Sequence, residues 1–193
     1  MVKRLLFVLF ILSLCYLFLS FSSEKSILGR VISIDSSYEN IKWLNMPLTY
    51  YINYSSCGEL MKTRIKNAFL ILENESEGKV EFHEGDFKSD ILITCTSKIN
   101  FIKGFYESGE ATYYSEGENI NRAEIVFYNV NPKANNKFAG GCTGYPNLEL
   151  HEILHVLDFS HKSGNSIMNP LIDGCKIKEV DRDIIEKIKE IYS

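Results

Sequence analysis

Residues 147 to 170 read Asn-Leu-Glu-Leu-His-Glu-Ile-Leu-His-Val-Leu-Asp-Phe-Ser-His-Lys-Ser-Gly-Asn-Ser-Ile-Met-Asn-Pro, and three of the chain's four histidines fall between 151 and 161. On a helix, His151 and His155 stand one turn apart on the same face and can share one ion. Glu152 then sits about 100° round from His151. From there a carboxylate reaches a water beside the metal without being a ligand, so H-E-x-x-H on a helix reads as a zinc pair plus a general base. His161 lies too far along for the same helix to bring it to the same point. The chain has to reverse in between, and Asp158 stands where that reversal belongs. Left-handed backbone favours glycine, with Asp and Asn the next most tolerant residues.

His151-Glu152-x-x-His155-x-x-Asp158-x-x-His161, followed by Met168 in Ser166-Ile167-Met168-Asn169-Pro170, resembles the signature of the metzincin zinc peptidases, H-E-x-x-H-x-x-G-x-x-H with a downstream Met-turn. The short step from the third histidine to the methionine, and the Met-Asn-Pro ending, are most similar to the matrixin branch. The chain departs from the family at Asp158, where the signature has glycine. The resemblance implies an α+β, zincin-like domain: a twisted mixed five-stranded sheet with an antiparallel edge strand, an N-terminal helix, the zinc helix and a C-terminal helix. It implies one catalytic Zn2+ on His151, His155 and His161, and a zinc-activated water with Glu152 as general base. The implied activity is that of a zinc metalloendopeptidase hydrolysing peptide bonds.

By the same resemblance Met168 is the hydrophobic floor beneath the ligands. Gly109, Glu110, Ala111 and Thr112 lie on the edge strand above the cleft, and Asn169 and Pro170 line the wall of a substrate pocket. An extended peptide or protein substrate would add to that edge as a further strand. A structural Ca2+, frequent in matrixins, has its candidate place at Ser115 to Asn119, whose spacing fits no ligand pattern. Three imidazoles leave one zinc position open, the arrangement of a catalytic site. Two other readings compete. Glu179 could act as an acidic third ligand, which His161 makes unnecessary. The chain could also be a non-catalytic, zinc-stabilised binding module at the cell surface, and an intact Glu152 argues against that.

Lys3 and Arg4 precede an apolar run from Leu5 to Phe21. Residues 1–23 therefore read as a signal peptide or signal anchor, which puts the remainder outside the cytoplasm, secreted or held at the membrane by residues 5–21. Residues 24–46 read as a stalk or short pro-segment, and 47–193 as one catalytic domain, expected to be monomeric. A net charge of −4 without a basic cluster argues against nucleic acid, so no nucleic-acid partner is expected. Membrane contact is expected only through the N-terminal segment. Cys57, Cys95, Cys142 and Cys175 form an even set in an oxidising setting, which favours two disulfides. Three connectivities are open, with Cys57–Cys95 and Cys142–Cys175 preferred because the second would tie the segment before the zinc helix to the one after Met168.

Local patterns order the rest. Leu48 to Asn53, Lys79 to His83, Asp90 to Cys95, Gly109 to Ser115 and Ala123 to Val130 read as strands. His83 reads as an ordinary exposed strand residue. A capping box at Ser56-Cys-Gly-Glu59 opens a helix with Met61, Ile65, Ala68, Phe69 and Leu72 on one stripe. Residues 131–146 read as a loop, with Asn147 capping the zinc helix. Val180, Ile184, Ile185, Ile188 and Ile191 mark a closing helix from near Asp181.

Overall fold

The computed structural model describes residues 26–27, 31–33, 41–102, 105–128, 144–171 and 176–193. In chain order the strands are β1 (Ser26–Ile27), β2 (Val31–Ser33), β3 (Lys42–Trp43) and β4 (Leu48–Ile52). After helix α1 (Glu59–Glu75) come β5 (Phe82–Glu84), β6 (Ile91–Cys95), β7 (Asn100–Ile102), β8 (Phe105–Glu107), β9 (Gly109–Glu116) and β10 (Asn119–Phe127). Helices α2 (Asn147–Val156) and α3 (Arg182–Ile191) complete the described elements.

The main sheet runs β2-β9-β10-β6-β4-β5, with β3 pairing alongside the start of β10. It is mostly parallel: β4 pairs β5 and β6, and β6 pairs β10, all in parallel. The β4–α1–β5 segment is a crossover unit, the connection that parallel neighbours require. Only the β9–β10 hairpin is antiparallel within this sheet. The architecture is thus mixed α/β with three helices among the described residues.

Two features correct the expectation of a five-stranded sheet with an antiparallel edge. Six strands lie along the path, and β9 is interior, because β2 lies on its outer side in parallel register, Val31 with Ala111 and Ser33 with Tyr113. Three residues, Val31 to Ser33, are too short a run to announce a strand inside a segment that reads as a stalk, and tertiary pairing decides it. The folded unit also takes in residues before 47. Ile41 and Trp43 are buried in the core, and the Trp43 indole N–H donates to the Val156 carbonyl at 2.9 Å. A second small sheet, β1-β8-β7, stands beside the first.

The amphipathic stripe of α1 packs as its spacing requires: Met61, Ile65, Ala68, Phe69 and Leu72 are all buried. α1 packs on β5 and against α2, which lies over β9 and β10. Buried positions alternate along β4 and β6, so the sheet keeps one half-exposed face and the Asp90–Cys95 run is not buried on both sides. The capping box does not form. Gly58 is the N-cap of α1 without a side-chain cap, while Ser56 Oγ donates to Asn53 O and accepts from Cys95 N. That loop is joined covalently to the end of β6 by a Cys57–Cys95 disulfide. Cys142, Cys175 and residues 1–23 lie outside the described residues. Among the described residues no helix is long and apolar enough to cross a membrane.

Candidate metal centre

Helix α2 carries the first two histidines and is buried along its whole length. Pro146, not Asn147, is its N-cap. The Asn147 side chain instead donates to Lys176 O and accepts from Lys178 N, tying the helix start to the segment before α3. Within the same first turn, Glu149 receives Arg64 of α1 in a two-pronged ion pair, Nε to Oε1 at 2.7 Å and Nη2 to Oε2 at 2.9 Å. The same guanidinium donates to Tyr145 O at 3.0 Å. Leu148, Leu150, Leu154 and Leu157 are buried around this framework.

After Val156 the chain turns back. Asp158 adopts φ 69°, the left-handed conformation expected of the reversal. A non-glycine residue there costs about 1–2 kcal/mol, less for Asp. Its carboxylate accepts from the buried Tyr113 hydroxyl of β9 at 2.7 Å. Burial raises the Asp158 pKa and the tyrosine bond opposes the rise. Beyond the turn, Lys162 N donates to Met168 O, and Met168 is fully buried. Asp181, N-cap of α3, accepts from Ser166 Oγ and Ile167 N, which fixes the strip carrying Met168.

These elements converge three ring nitrogens. The Nε2 atoms of His151, His155 and His161 are 3.0, 3.1 and 3.2 Å apart. His151 and His155 are buried and His161 is exposed, so the cluster opens to solvent on the His161 side. The tautomers of the first two follow from their partners. His151 Nδ1 lies 2.8 Å from Ile167 O and His155 Nδ1 lies 2.7 Å from Phe159 O. A carbonyl only accepts, so each Nδ1 carries the proton and each Nε2 presents a lone pair. Two such lone pairs 3.0 Å apart repel unless a cation lies between them. Burial, then the two other imidazoles, push the His155 pKa down to about 2, so it stays a neutral donor.

The donor set fits a zinc ion. Tetrahedral ligands at about 2.05 Å place neighbouring nitrogens about 3.3 Å apart, close to the spacing here. The outer Nδ1–H bonds to backbone carbonyls are the orientation that metal-ligating histidines usually have. Among the described residues no other group of His, Cys, Asp or Glu is arranged to hold an ion. Glu179 is exposed and stands outside the group that His151, His155 and His161 form. His83 is exposed on β5 and takes no part. Residues 115–119 span the β9–β10 turn without a cation cluster.

Glu152 is fully buried, and neither carboxylate oxygen has a hydrogen-bond partner. Burial first, then Glu107, Glu110 and Glu149, raise its pKa well above the ordinary carboxylate value. Gly109 lies directly over it: a Cβ there would come 2.5 Å from Glu152 Oε1 and 2.8 Å from Cδ. The glycine at the head of β9 is therefore what leaves the carboxylate its room, a role no local pattern announces.

The other substrate-contact candidates separate. Glu110 accepts from Tyr128 hydroxyl at 2.6 Å, whose pKa burial and that carboxylate raise. Ala111 and Thr112 pair β10 on one side and β2 on the other. Asn169 is occupied within its own loop, donating to Gly164 O and accepting from Leu171 N, with Pro170 half-buried beside it. No protein-family model matches the chain, and no curated protein matches it either.

Proposed function

We propose that the chain is a zinc-dependent endopeptidase of metzincin, matrixin-like type, acting outside the cytoplasm. The observation that carries this reading is the convergence of three Nε2 atoms, two of them on rings whose Nδ1 atoms bond backbone carbonyls, together with a buried Glu152, on the same helix as those two, that has no hydrogen-bond partner. The order strand 48–52, helix 59–75, strand 82–84, strand 91–95 supports it further. His151, His155 and His161 would hold a zinc ion, which would supply Lewis-acid activation of a water and of a peptide carbonyl.

The protein's own groups do the rest. Ile167 and Phe159 carbonyls hold two rings in their donor tautomer. Met168 closes the space behind them. Glu152, raised in pKa by burial, accepts the proton of the attacking water and returns it to the departing amine. Its low-dielectric surroundings favour the proton-bearing form between those two events.

The test is metal content with proteolysis. The full chain, purified and dialysed against zinc, should hold one zinc and cleave an unstructured protein, and a chelator should stop the cleavage until zinc is restored. His161→Ala should retain little zinc after the same dialysis. Wild-type metal content in that variant would move the third ligand elsewhere and defeat the tripod.

The β2–β9 pairing favours a second reading, a zinc-stabilised binding module, because Val31–Ser33 take the edge on which a substrate strand would lie. In the endopeptidase reading a peptide displaces those residues. A chain starting at residue 41 should then cleave extended peptides severalfold faster at unchanged zinc content. Equal absence of cleavage in both forms selects the binding module.

A further inference from the structure

We propose that Tyr113 is a positioning residue for the metal site, holding Asp158 in its left-handed conformation and through it the histidines on either side. The inference rests on the metal-site reading above. Asp158 is the residue at which this chain departs from the glycine of the signature it resembles, and it keeps the positive φ all the same. Its side chain is clamped by a hydroxyl from a different element, β9, across a sequence gap of 45 residues. Tyr113 is itself buried, so its ring has little freedom to swing away.

Two ligands depend on the conformation at this point. Asp158 N donates to His155 O at 3.0 Å and Phe159 N donates to Leu154 O at 3.0 Å, which closes the helix end. The next carbonyl, Phe159 O, then receives His155 Nδ1–H and sets that ring. The same reversal sends the chain back so that His161 Nε2 comes within 3.1 Å of His155 Nε2. A turn that relaxed out of the left-handed region would misdirect the Phe159 carbonyl and His161 together. Glycine needs no such clamp, since positive φ costs it little. The clamp and the aspartate are therefore expected to act as one device.

The experiment compares zinc and cobalt affinity, by titration against a competing chelator, in the full chain and in Tyr113→Phe, Asp158→Gly, Asp158→Ala and the Tyr113→Phe/Asp158→Gly double variant. Tyr113→Phe should weaken zinc about tenfold and alter the visible spectrum of the cobalt form. Asp158→Ala, which keeps the strained backbone without an acceptor, should do the same. Asp158→Gly should bind close to wild type, and adding Tyr113→Phe to it should change nothing further. Rescue by glycine is the outcome that a merely structural tyrosine would not give. Unchanged affinity in Tyr113→Phe, or the same loss in the aspartate and glycine backgrounds, overturns the positioning role. Should Tyr113→Phe not fold, wild-type affinity in Asp158→Ala overturns it equally. A wild-type chain that takes up no zinc removes the metal-site reading itself, a result distinct from either.

Discussion

Glu152→Ala should give a folded protein that binds one zinc and hydrolyses peptide bonds about 10²–10⁴-fold more slowly than wild type. The size follows from what is lost. The carboxylate is buried on the helix that carries His151 and His155, faces Gly109 with no room to spare, and has no competing hydrogen-bond partner. It is thus available to a water's proton and to little else. Its raised pKa has a separate consequence in metal-free protein. The folded state keeps a proton that the unfolded chain gives up, so stability falls as pH rises from the ordinary carboxylate value towards the raised one. Alanine removes that dependence, and chelator-treated variant should show a flatter pH profile of unfolding. Wild-type turnover in Glu152→Ala would pass the role to Glu107 or Glu110, the next carboxylates acting on the same place.

Arg64→Met carries the largest expected effect on stability, about 3–5 kcal/mol lost at neutral pH. The guanidinium and Glu149 are both buried, and α2 is the helix that carries His151 and His155. Without Arg64 the Glu149 carboxylate stays in the interior unpaired and Tyr145 O loses a donor. Burial already raises the Glu149 pKa against the opposing pull of Arg64, so removing the arginine raises it further. The penalty should therefore be greatest above the folded value and shrink as pH falls towards the unfolded carboxylate range, where both states are protonated. Urea unfolding at several pH values, with chelator present, measures it. Arg64→Met/Glu149→Leu should recover most of the loss, since an apolar pair of similar volume replaces a buried ion pair at little cost. A single variant as stable as wild type would mean that α2 is seated by its leucines alone.

How far the structure could be read beforehand depended on whether the controlling contacts were local. The histidine spacing on α2 and the α1 stripe are settled within a few residues, and each is found where the spacing put it. The place of the reversal at Asp158 is equally local, while its clamp, Tyr113, comes from a distant strand. Cys57 and Cys95 are joined as preferred. The remainder is decided by contacts distant in the chain. Arg64 and Glu149 are residues commonly found on solvated helix faces, and only the packing of α1 on α2 shows that they face each other. Ser56 and Asn147 carry good capping side chains, yet Cys95, Lys176 and Lys178 claim them. The strand at 31–33 has too few residues to declare itself, and its partner on β9 lies far downstream. Gly109 reads locally as no more than the start of a strand, and its use becomes visible only with the Glu152 carboxylate packed against it.

The indole of Trp43 grips the last carbonyl of α2, and it is the chain's single tryptophan. Nature has in effect wired one fluorophore to the end of α2, a few residues from the turn that delivers His161. Its emission colour and quenching read the seating of that helix terminus directly, free of background from any second indole. Metal loading, loosening of the turn and loss of the Arg64 anchor can all be followed as emission from one indole ring, without attaching a dye.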